Sequence, residues 1–259
     1  VINNPVQDFA SAGALVDEMS DLRGYLSRGG KLLITTDSYN RTPNLDALLA
    51  EYGMTRQEGL VIENDSNYYL YGTAQTCLLP NLSSNEITAG VTDGMHVFTP
   101  VAQGIVKGDS TDDLTLTTLL STSSTAYSMQ DYAEATTAEQ GANDPNGPFN
   151  IAVAASNSTT GAKVVWVNCA NLLNSKGIEY VAREYASLLI GGNAQLLTST
   201  MNWMTGEENG VVIDSKSMSA ETLTVPAKAI MLLGLLFTIV VPLAFIVAGI
   251  AITLVRRRR

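Results

Sequence analysis

Apolar residues in the first sixty positions switch between helical and strand-like spacing. Residues 7–28 carry apolar side chains at intervals of three and four and end at a glycine pair, which predicts a helix. The non-alternating run 31–36 predicts a strand buried on both faces, as in a parallel sheet. A second helix is predicted to begin at Thr42, with Pro43 in its first turn, and Leu60–Ile62 predicts a further strand. Strands and helices that alternate in this way predict an α/β fold.

The rest of the chain predicts further elements around two polar stretches, residues 64–100 and 108–148. Short helical spacing appears at 85–88. Four more apolar runs predict strands, at 114–120, 149–155, 164–167 and 211–213. Two longer helical stripes cover 178–189, ending at Gly191 and Gly192, and 193–204, with Asn193 as the N-cap. Together these elements predict one α/β domain over residues 1–213.

The longest apolar run lies at the C-terminus. No charged side chain occurs from Ala229 to Val255, and the run is followed by Arg256, Arg257, Arg258 and Arg259. At about 1.5 Å per residue the run makes a helix of roughly 40 Å, enough to cross a hydrocarbon core of ~30 Å. Pro242 predicts a kink, which membrane helices tolerate. The alternative is the core helix of a soluble protein, which rarely needs this length.

Charge is distributed unevenly along the chain. The terminal arginines and Lys228 contribute +5 to a net charge of −10, so residues 1–227 carry −15. An acidic domain argues against nucleic-acid binding, which needs a basic face. The arginines predict a cytoplasmic C-terminus, residues 256–259, and they favour contact with anionic lipid. The domain at 1–213 is then extracytoplasmic, joined to the span at 229–255 by a Ser/Thr-rich linker at 214–228.

Export of such a domain requires a signal or a first span. Neither precedes Val1, and the opening residues are typical of the end of a buried strand. We therefore expect an N-terminal part to precede this sequence.

Candidate catalytic residues are few. Nucleophilic catalysis would have to use Cys77 or Cys169 with His96, because these are the only thiols and the only imidazole. No nucleophile-elbow glycine pattern surrounds either cysteine, and a buried thiol is the simpler interpretation of Cys169. A disulfide between the two cysteines stays open, since spacing alone does not decide it. We predict no catalytic residues.

Ligand sites have equally sparse support. One histidine and two scattered cysteines do not form a zinc site. Asp109, Asp112 and Asp113 resemble the start of a calcium loop but lack its closing glutamate, which favours a solvated acidic loop. No phosphate-binding glycine loop is present, and we predict no cofactor. Asp37 follows a predicted strand, where α/β sheets bind ligands, so it is the best-placed ligand residue; a turn or capping role is the alternative.

Several segments resemble the GldG-like proteins, which are auxiliary extracytoplasmic components of ABC transport systems named for gliding motility. The order of these segments, together with the terminal span and arginines, carries the resemblance. They are residues 1–5, 25–33, 42–46, 49–53, 59–61, 193–194 and 202–208. The chain departs from the family's acidic turn after the strand 164–167, where it has Asn168, Cys169, Ala170 and Asn171.

The resemblance implies a flavodoxin-like or glutamine-amidotransferase-like three-layer domain without catalytic residues. It also implies a bacterial cytoplasmic membrane, a first span upstream, and separate permease and ATPase subunits. Our main hypothesis is a non-enzymatic auxiliary subunit of an ABC transporter that binds a substrate or a partner. The alternatives are a surface module that binds glycans or proteins through the tyrosines at 68–71, and an amidotransferase-like or hydrolase-like enzyme.

Overall fold

The computed structural model describes residues 1–11, 13, 16–70, 74–173, 178–180, 183–185, 191–206 and 225–257. It has a mixed α/β fold, as the alternating pattern predicted. The strands are β1 (Ile2–Asn3), β2 (Lys31–Thr35), β3 (Met54–Arg56), β4 (Leu60–Ile62), β5 (Cys77–Leu78), β6 (Asn81–Leu82), β7 (Thr99–Pro100), β8 (Ile105–Lys107), β9 (Leu114–Ser121), β10 (Tyr127–Met129), β11 (Asn150–Asn157), β12 (Lys163–Val167), β13 (Ile178–Tyr180) and β14 (Arg183–Tyr185). The helices are α1 (Glu18–Ser27), α2 (Pro43–Glu51), α3 (Gly191–Thr205), α4 (Ala227–Leu235) and α5 (Val241–Arg257).

The main sheet has strand order β1-β2-β12-β11-β8-β3, and β9 with β6 also joins it through β11. The strand β2 is parallel to both of its neighbours, β1 and β12, as its non-alternating apolar run predicted. Beyond β12 every pairing is antiparallel: β11 with β12, β9 and β8, and β8 with β3. The sheet is therefore mixed, with its parallel part at one edge.

Helices cover both faces of this sheet, because successive residues of a strand point to opposite faces. Val164 and Trp166 of β12 belong to a cluster that includes the buried faces of α1 and α2. Val165 and Val167 belong to a second cluster that includes Leu196 of α3. Both clusters are made of buried side chains, so the sheet forms the centre of the domain.

The first helix is shorter than predicted. Its stripe holds at Met19 and Leu26, which are buried, but the helix begins only at Glu18. Asp17 sets this start, since its carboxylate accepts the N–H of Ser20 at 2.8 Å and caps the helix. Leu15, the first residue of the predicted stripe, lies outside the described residues.

Strand pairing after α2 also differs from prediction. The chain returns as β3, which is antiparallel to β8, and β4 leaves the main sheet to pair with β10. The strands that directly follow α2, β3 and β4, therefore do not extend the parallel part of the sheet. The short helix predicted at 85–88 is a 3₁₀ turn at Thr88–Gly90, preceded by Asn85, whose side chain accepts the N–H groups of Ile87 and Thr88.

Further predictions in the C-terminal third of the domain fail or lie outside the described residues. The helix predicted at 178–189 is wrong where the structure describes it, because Ile178–Tyr180 pairs with Arg183–Tyr185 as an antiparallel hairpin. The glycine pair that was expected to end that helix begins α3 instead. The strand predicted at 211–213 and the linker residues 214–224 lie outside the described residues.

The C-terminal helix is continuous from Ala227 to Arg257, with one π-helical turn at Leu236–Val240. By length and composition the stretch Ala227–Ile252, 26 residues, could cross a membrane, and its most apolar part is not buried by the rest of the described protein. Pro242 follows the π turn directly. A proline has no N–H and its ring displaces the carbonyl four residues earlier, here that of Thr238, so a wider turn before it relieves both problems.

Candidate functional site

The carboxyl ends of the parallel strands β2 and β12 meet in a buried polar network. Thr36 follows β2, and its hydroxyl donates to the side-chain oxygen of Asn168 at 2.7 Å. The indole N–H of Trp166 donates to the same hydroxyl at 2.8 Å, and the Asn168 amide donates to the carbonyl of Gly104 at 3.0 Å. Thr36, Trp166 and Asn168 are each at most 2% exposed. This is the edge at which α/β sheets bind ligands.

Arg56 at the end of β3 completes this network. Its side chain is 4% exposed and forms a two-pronged ion pair with Asp46 of α2, with N–O distances of 2.9 and 3.1 Å. The same guanidinium donates to Gln103 at 2.8 Å and to Asn168 at 3.2 Å, and it lies 5.7 Å from the Trp166 ring centroid. These contacts occupy its donors, so Arg56 joins α2 to the sheet edge rather than offering a free cation to a ligand.

Asp37 lies at this edge, where the sequence placed a ligand residue. One carboxylate oxygen accepts the N–H groups of Tyr39 and Asn40 at 2.9 and 2.6 Å, and the other accepts the Asn40 side-chain amide at 2.8 Å. Its carbonyl oxygen accepts from Arg56 at 3.0 Å. These are the bonds of a side chain that closes a turn, so the carboxylate is already engaged within the loop between β2 and α2.

The start of α2 is capped by a residue that lies far from it in the sequence. Thr42, the N-cap residue, makes no side-chain capping bond, and instead the carboxylate of Asp8 accepts the N–H of Asn44 at 3.0 Å. Within the described residues the hydroxyls of Ser38 and Thr42 are buried without a hydrogen-bond partner. A negative charge already lies at this helix terminus, which disfavours a second anion there.

The two cysteines and His96 are the candidates that the sequence offered for nucleophilic catalysis. No disulfide joins Cys77 and Cys169, and both are buried. Burial raises the pKa of the Cys169 thiol to about 12, and the thiol donates to the carbonyl of Pro100 at 3.2 Å. Such a thiol stays protonated at neutral pH, whereas attack requires the thiolate. His96 is half-buried, and burial lowers its pKa.

The acidic residues at 109–113 lie in an exposed loop after β8. Asp113 accepts from the Thr159 hydroxyl at 2.7 Å, and its carbonyl accepts the Ser158 N–H at 2.8 Å, which ties the loop to the β11–β12 turn. In the part of the chain that the structure describes, no three acidic, histidine or cysteine side chains are grouped as a metal site would need.

The junction between the domain and the C-terminal helix is the second candidate site. Pro226 forms a bridge with Leu70, and the N–H of Lys228 donates to the carbonyl of Ser66 at 3.4 Å. Between them Ala227 is 2% exposed. The sequence predicted a linker through residue 228, whereas the helix starts at Ala227, against the domain surface.

Tyrosines flank this junction. Tyr68 and Tyr69 are half-buried and Leu70 is buried, while Tyr71 lies outside the described residues. The backbone carbonyl of Tyr68 accepts the N–H of Leu79 at 2.7 Å, and Tyr69 bridges Leu78. The backbones of the two tyrosines are therefore built into the domain, and their side chains are half-buried.

The predicted anchor residues occupy one helix. Ala229 is half-buried beside the domain, Pro242 follows the π turn, and Arg256 and Arg257 are exposed at the end of α5. The backbone of Val255 lies within α5. Arg258 and Arg259 lie outside the described residues.

Sequence reasoning missed Arg56 and the junction. A single arginine in a three-residue strand gives no sign of burial, since most arginines are exposed. The junction had one signal: Pro226 stands directly before a helix-forming run, where proline often precedes or opens a helix. That signal marks where the helix starts but says nothing about what covers it.

Comparison with known proteins supports the fold alone. No protein-family model matches this chain, and no curated protein matches it. Among solved structures, the mmIFT52 N-terminal domain is similar with a TM-score of 0.54 over 81% of this chain and 77% of that chain. The two sequences are 16% identical, so the likeness is one of mixed α/β architecture.

Proposed function

We propose that this chain is a membrane-anchored, non-enzymatic auxiliary subunit of an ABC transport system. Its α/β domain stands outside the cytoplasm and binds a substrate or an envelope partner, and its C-terminal helix docks on the permease. The observation that carries the proposal is the junction. A domain fixed to its helix through Pro226, Ala227 and Lys228 moves with that helix, whereas a surface enzyme needs only a loose tether.

Helix exposure supports docking in the membrane. From Met231 to Ile252 every large apolar side chain except Val241 is at least 42% exposed within the described protein. The domain buries none of this surface, so all faces of the helix are available to lipid or to neighbouring helices. Membrane helices associate through close packing of small residues, and Ala244 and Ala248 lie one turn apart on one face of α5.

The charge distribution supports the orientation. Arg256 and Arg257 are exposed at the helix end, and the domain before the span is strongly acidic. Basic residues beside a span are retained in the cytoplasm. We therefore place the C-terminus in the cytoplasm of a bacterial cell, the domain outside it, and anionic lipid headgroups beside the arginines.

The proposal rests on the GldG-like resemblance for the transport setting and on the site geometry for the lack of catalysis. At the sheet edge the Cys169 thiol is buried and protonated and the Asp37 carboxylate is engaged within its loop, so neither group is activated as a nucleophile. ATP would be bound by a separate ATPase subunit, since this sequence has no phosphate-binding loop.

The test is purification of the full chain from its native membrane in a mild detergent. We expect an ATP-binding subunit and a multi-span permease to accompany it, identified by mass spectrometry. Recovery of the chain alone, under conditions that keep other ABC complexes of the same membrane intact, would overturn the proposal.

Two double substitutions, on opposite faces of α5, test whether the helix docks on the permease or only tethers the domain. Ala244→Phe with Ala248→Phe adds bulk to one helix face, and Ile246→Phe with Ile250→Phe adds aromatic bulk to the opposite face, because each residue turns the helix by about 100°. We expect one pair to reduce recovery of the permease severalfold and the other to leave it unchanged. Equal recovery with both pairs would mean that the helix is only a tether.

A further inference from the structure

Side-chain exposure changes abruptly along the C-terminal helix. Ala227 is 2% exposed, and Ala229 and Ile230 are half-buried, whereas Met231 is 62% and Leu232 59% exposed. The domain therefore covers one side of the first turn, which leaves Lys228 exposed on the other side, and this cover ends at Ile230.

The part of the domain that covers the helix start is the loop 65–70, which we call the seat. The seat contacts the helix through the carbonyl of Ser66 and through Leu70. Leu70 is 4% exposed and packs in a buried cluster with Cys77, Leu79 and Phe98. Through this cluster the seat is held by the body of the domain, so its height relative to the helix is fixed.

The length of the helix sets the level of the seat relative to the bilayer. Lys228 and Arg256 are 28 residues apart, which corresponds to about 42 Å along a helix. A bilayer with its headgroup layers is about 40–45 Å thick. With Arg256 in one headgroup layer, Lys228 lies in the other, and the seat beside Lys228 lies at the same level.

The seat and Lys228 have the residue types that are common in the headgroup layer of a membrane. Tyr68 and Tyr69 are half-buried, with rings that are apolar and hydroxyls that are polar, and tyrosine is enriched where hydrocarbon meets headgroups. Lys228 is exposed, and its long side chain can reach headgroup phosphates while its stem stays against apolar surface. The rest of the seat, Asp65, Ser66 and Asn67, is polar.

We propose that the seat and Lys228 form a lipid-contacting surface that rests in the headgroup layer on the side opposite the terminal arginines. The occupant is the phospholipid headgroup itself. The surface holds the acidic domain directly against the bilayer at a fixed height. This inference rests on the proposed membrane span but does not require a transporter.

The test uses nitroxide labels on single cysteines in the full chain, reconstituted in vesicles of phosphatidylcholine and phosphatidylglycerol in equal parts. Both native cysteines are buried, so added surface cysteines are labelled selectively. Labels are placed by Asn67→Cys in the seat, Lys228→Cys at the helix start, and Tyr39→Cys as control. Tyr39 is 70% exposed in the loop after β2.

Accessibility to dissolved oxygen and to a water-soluble nickel chelate is measured by electron paramagnetic resonance. We expect the labels at residues 67 and 228 to lose nickel accessibility severalfold on transfer from detergent to vesicles, with no change at residue 39. A protected label at 228 with a fully accessible label at 67 would overturn the seat while keeping the span. Full accessibility at both would overturn the seat, because the helix start would then lie outside the headgroup layer.

Discussion

Asn193 binds both backbone polar groups of Phe98. Its side-chain oxygen accepts the Phe98 N–H at 2.7 Å, and its amide nitrogen donates to the Phe98 carbonyl at 2.8 Å. Asn193 is fully buried in the first turn of α3, and Phe98 directly precedes β7. The residue type that suggested a helix cap therefore serves a tertiary contact, which joins α3 to the segment under the seat.

Replacing Asn193 by leucine removes both of these buried hydrogen bonds. A hydrogen bond contributes about 0.5–1.5 kcal/mol to stability, so we expect the free energy of unfolding to fall by about 1–3 kcal/mol. The measurement is urea unfolding of the full chain in a mild detergent, followed by tryptophan fluorescence. Met201→Ala is the matched control, because Met201 lies on the same helix and is 39% exposed. A loss no greater than in the control would contradict the role of Asn193.

The elements that the sequence predicted correctly are those with local signals. The strand β2 is an unbroken apolar run, α2 has Pro43 in its first turn and a leucine face, and β11 and β12 are apolar runs separated by a polar turn. The partners of the strands could not be predicted from local signals. The pairing of β4 with β10 joins residues more than sixty positions apart, and no local pattern encodes such a choice.

Breaking the buried ion pair between Arg56 and Asp46 is expected to lower the stability of the protein strongly. Arg56→Leu leaves Asp46 without its cation and removes a donor from Gln103 and Asn168. Breaking one partner of a buried pair costs about 3–5 kcal/mol, and we expect a loss of this size in the same unfolding assay. Replacing both partners, as in Arg56→Leu with Asp46→Leu, is expected to recover part of the loss, because no buried charge is then left alone.

The exposed pair between Arg23 and Glu51 provides the control for Arg56. Its N–O distance is 2.7 Å, close to that of the buried pair, but the two side chains are 43% and 49% exposed. Solvent screens such a pair, so Arg23→Gln is expected to change the unfolding free energy by less than about 1 kcal/mol. Equal losses at Arg23 and Arg56 would show that burial does not set the energy of these pairs.

The buried Cys169 thiol is expected to make the stability of the folded protein fall as pH rises through the alkaline range. Its pKa is raised from 9.0 to about 12 in the folded protein, so the unfolded chain loses the proton first as pH rises. The stability that the neutral thiol contributes is complete below pH 9 and is lost between pH 9 and 12. The expected loss is up to about 1.4 kcal/mol for each pH unit in that window.

The comparison that isolates this thiol is the wild type against Cys169→Ala across pH 8 to 11. Other groups with raised pKa values, such as Tyr52 and Tyr127, titrate in both proteins and cancel in the difference. We expect the wild type to lose stability relative to the variant above pH 9, and the two curves to run parallel below it. Parallel curves over the whole range would contradict a raised pKa.

The candidate sites were less predictable than the elements that carry them. The sequence located Asp37 at the carboxyl end of β2, but the turn that engages its carboxylate depends on Tyr39 and Asn40 in their folded positions. The junction depends on Ser66 and Leu70, about 160 residues before the helix that they cover. Contacts of this kind arise from tertiary packing, so a pattern along the chain does not reveal them.

Replacing Pro242 is expected to change the π turn that precedes it. In Pro242→Leu the missing N–H returns and the ring no longer displaces the Thr238 carbonyl, so Leu236–Val240 is expected to become regular α-helix. Removing one wide turn rotates α5 relative to α4 by about 100° and changes the rise between them by about 1.5 Å. The face that α5 presents to a neighbouring helix would then differ from that of the wild type.

Spin labels at Leu233 and Ile246, on either side of the π turn, measure this rotation. Both positions are more than half exposed, so the labels do not disturb packing within the described protein. We expect Pro242→Leu to shift the distance between the labels by several ångströms, measured by double electron–electron resonance in vesicles. Leu243→Ala is the control, since Leu243 is 60% exposed next to the proline and has a normal N–H. An unchanged distance in Pro242→Leu would mean that the sequence before the proline, rather than the proline itself, sets the π turn.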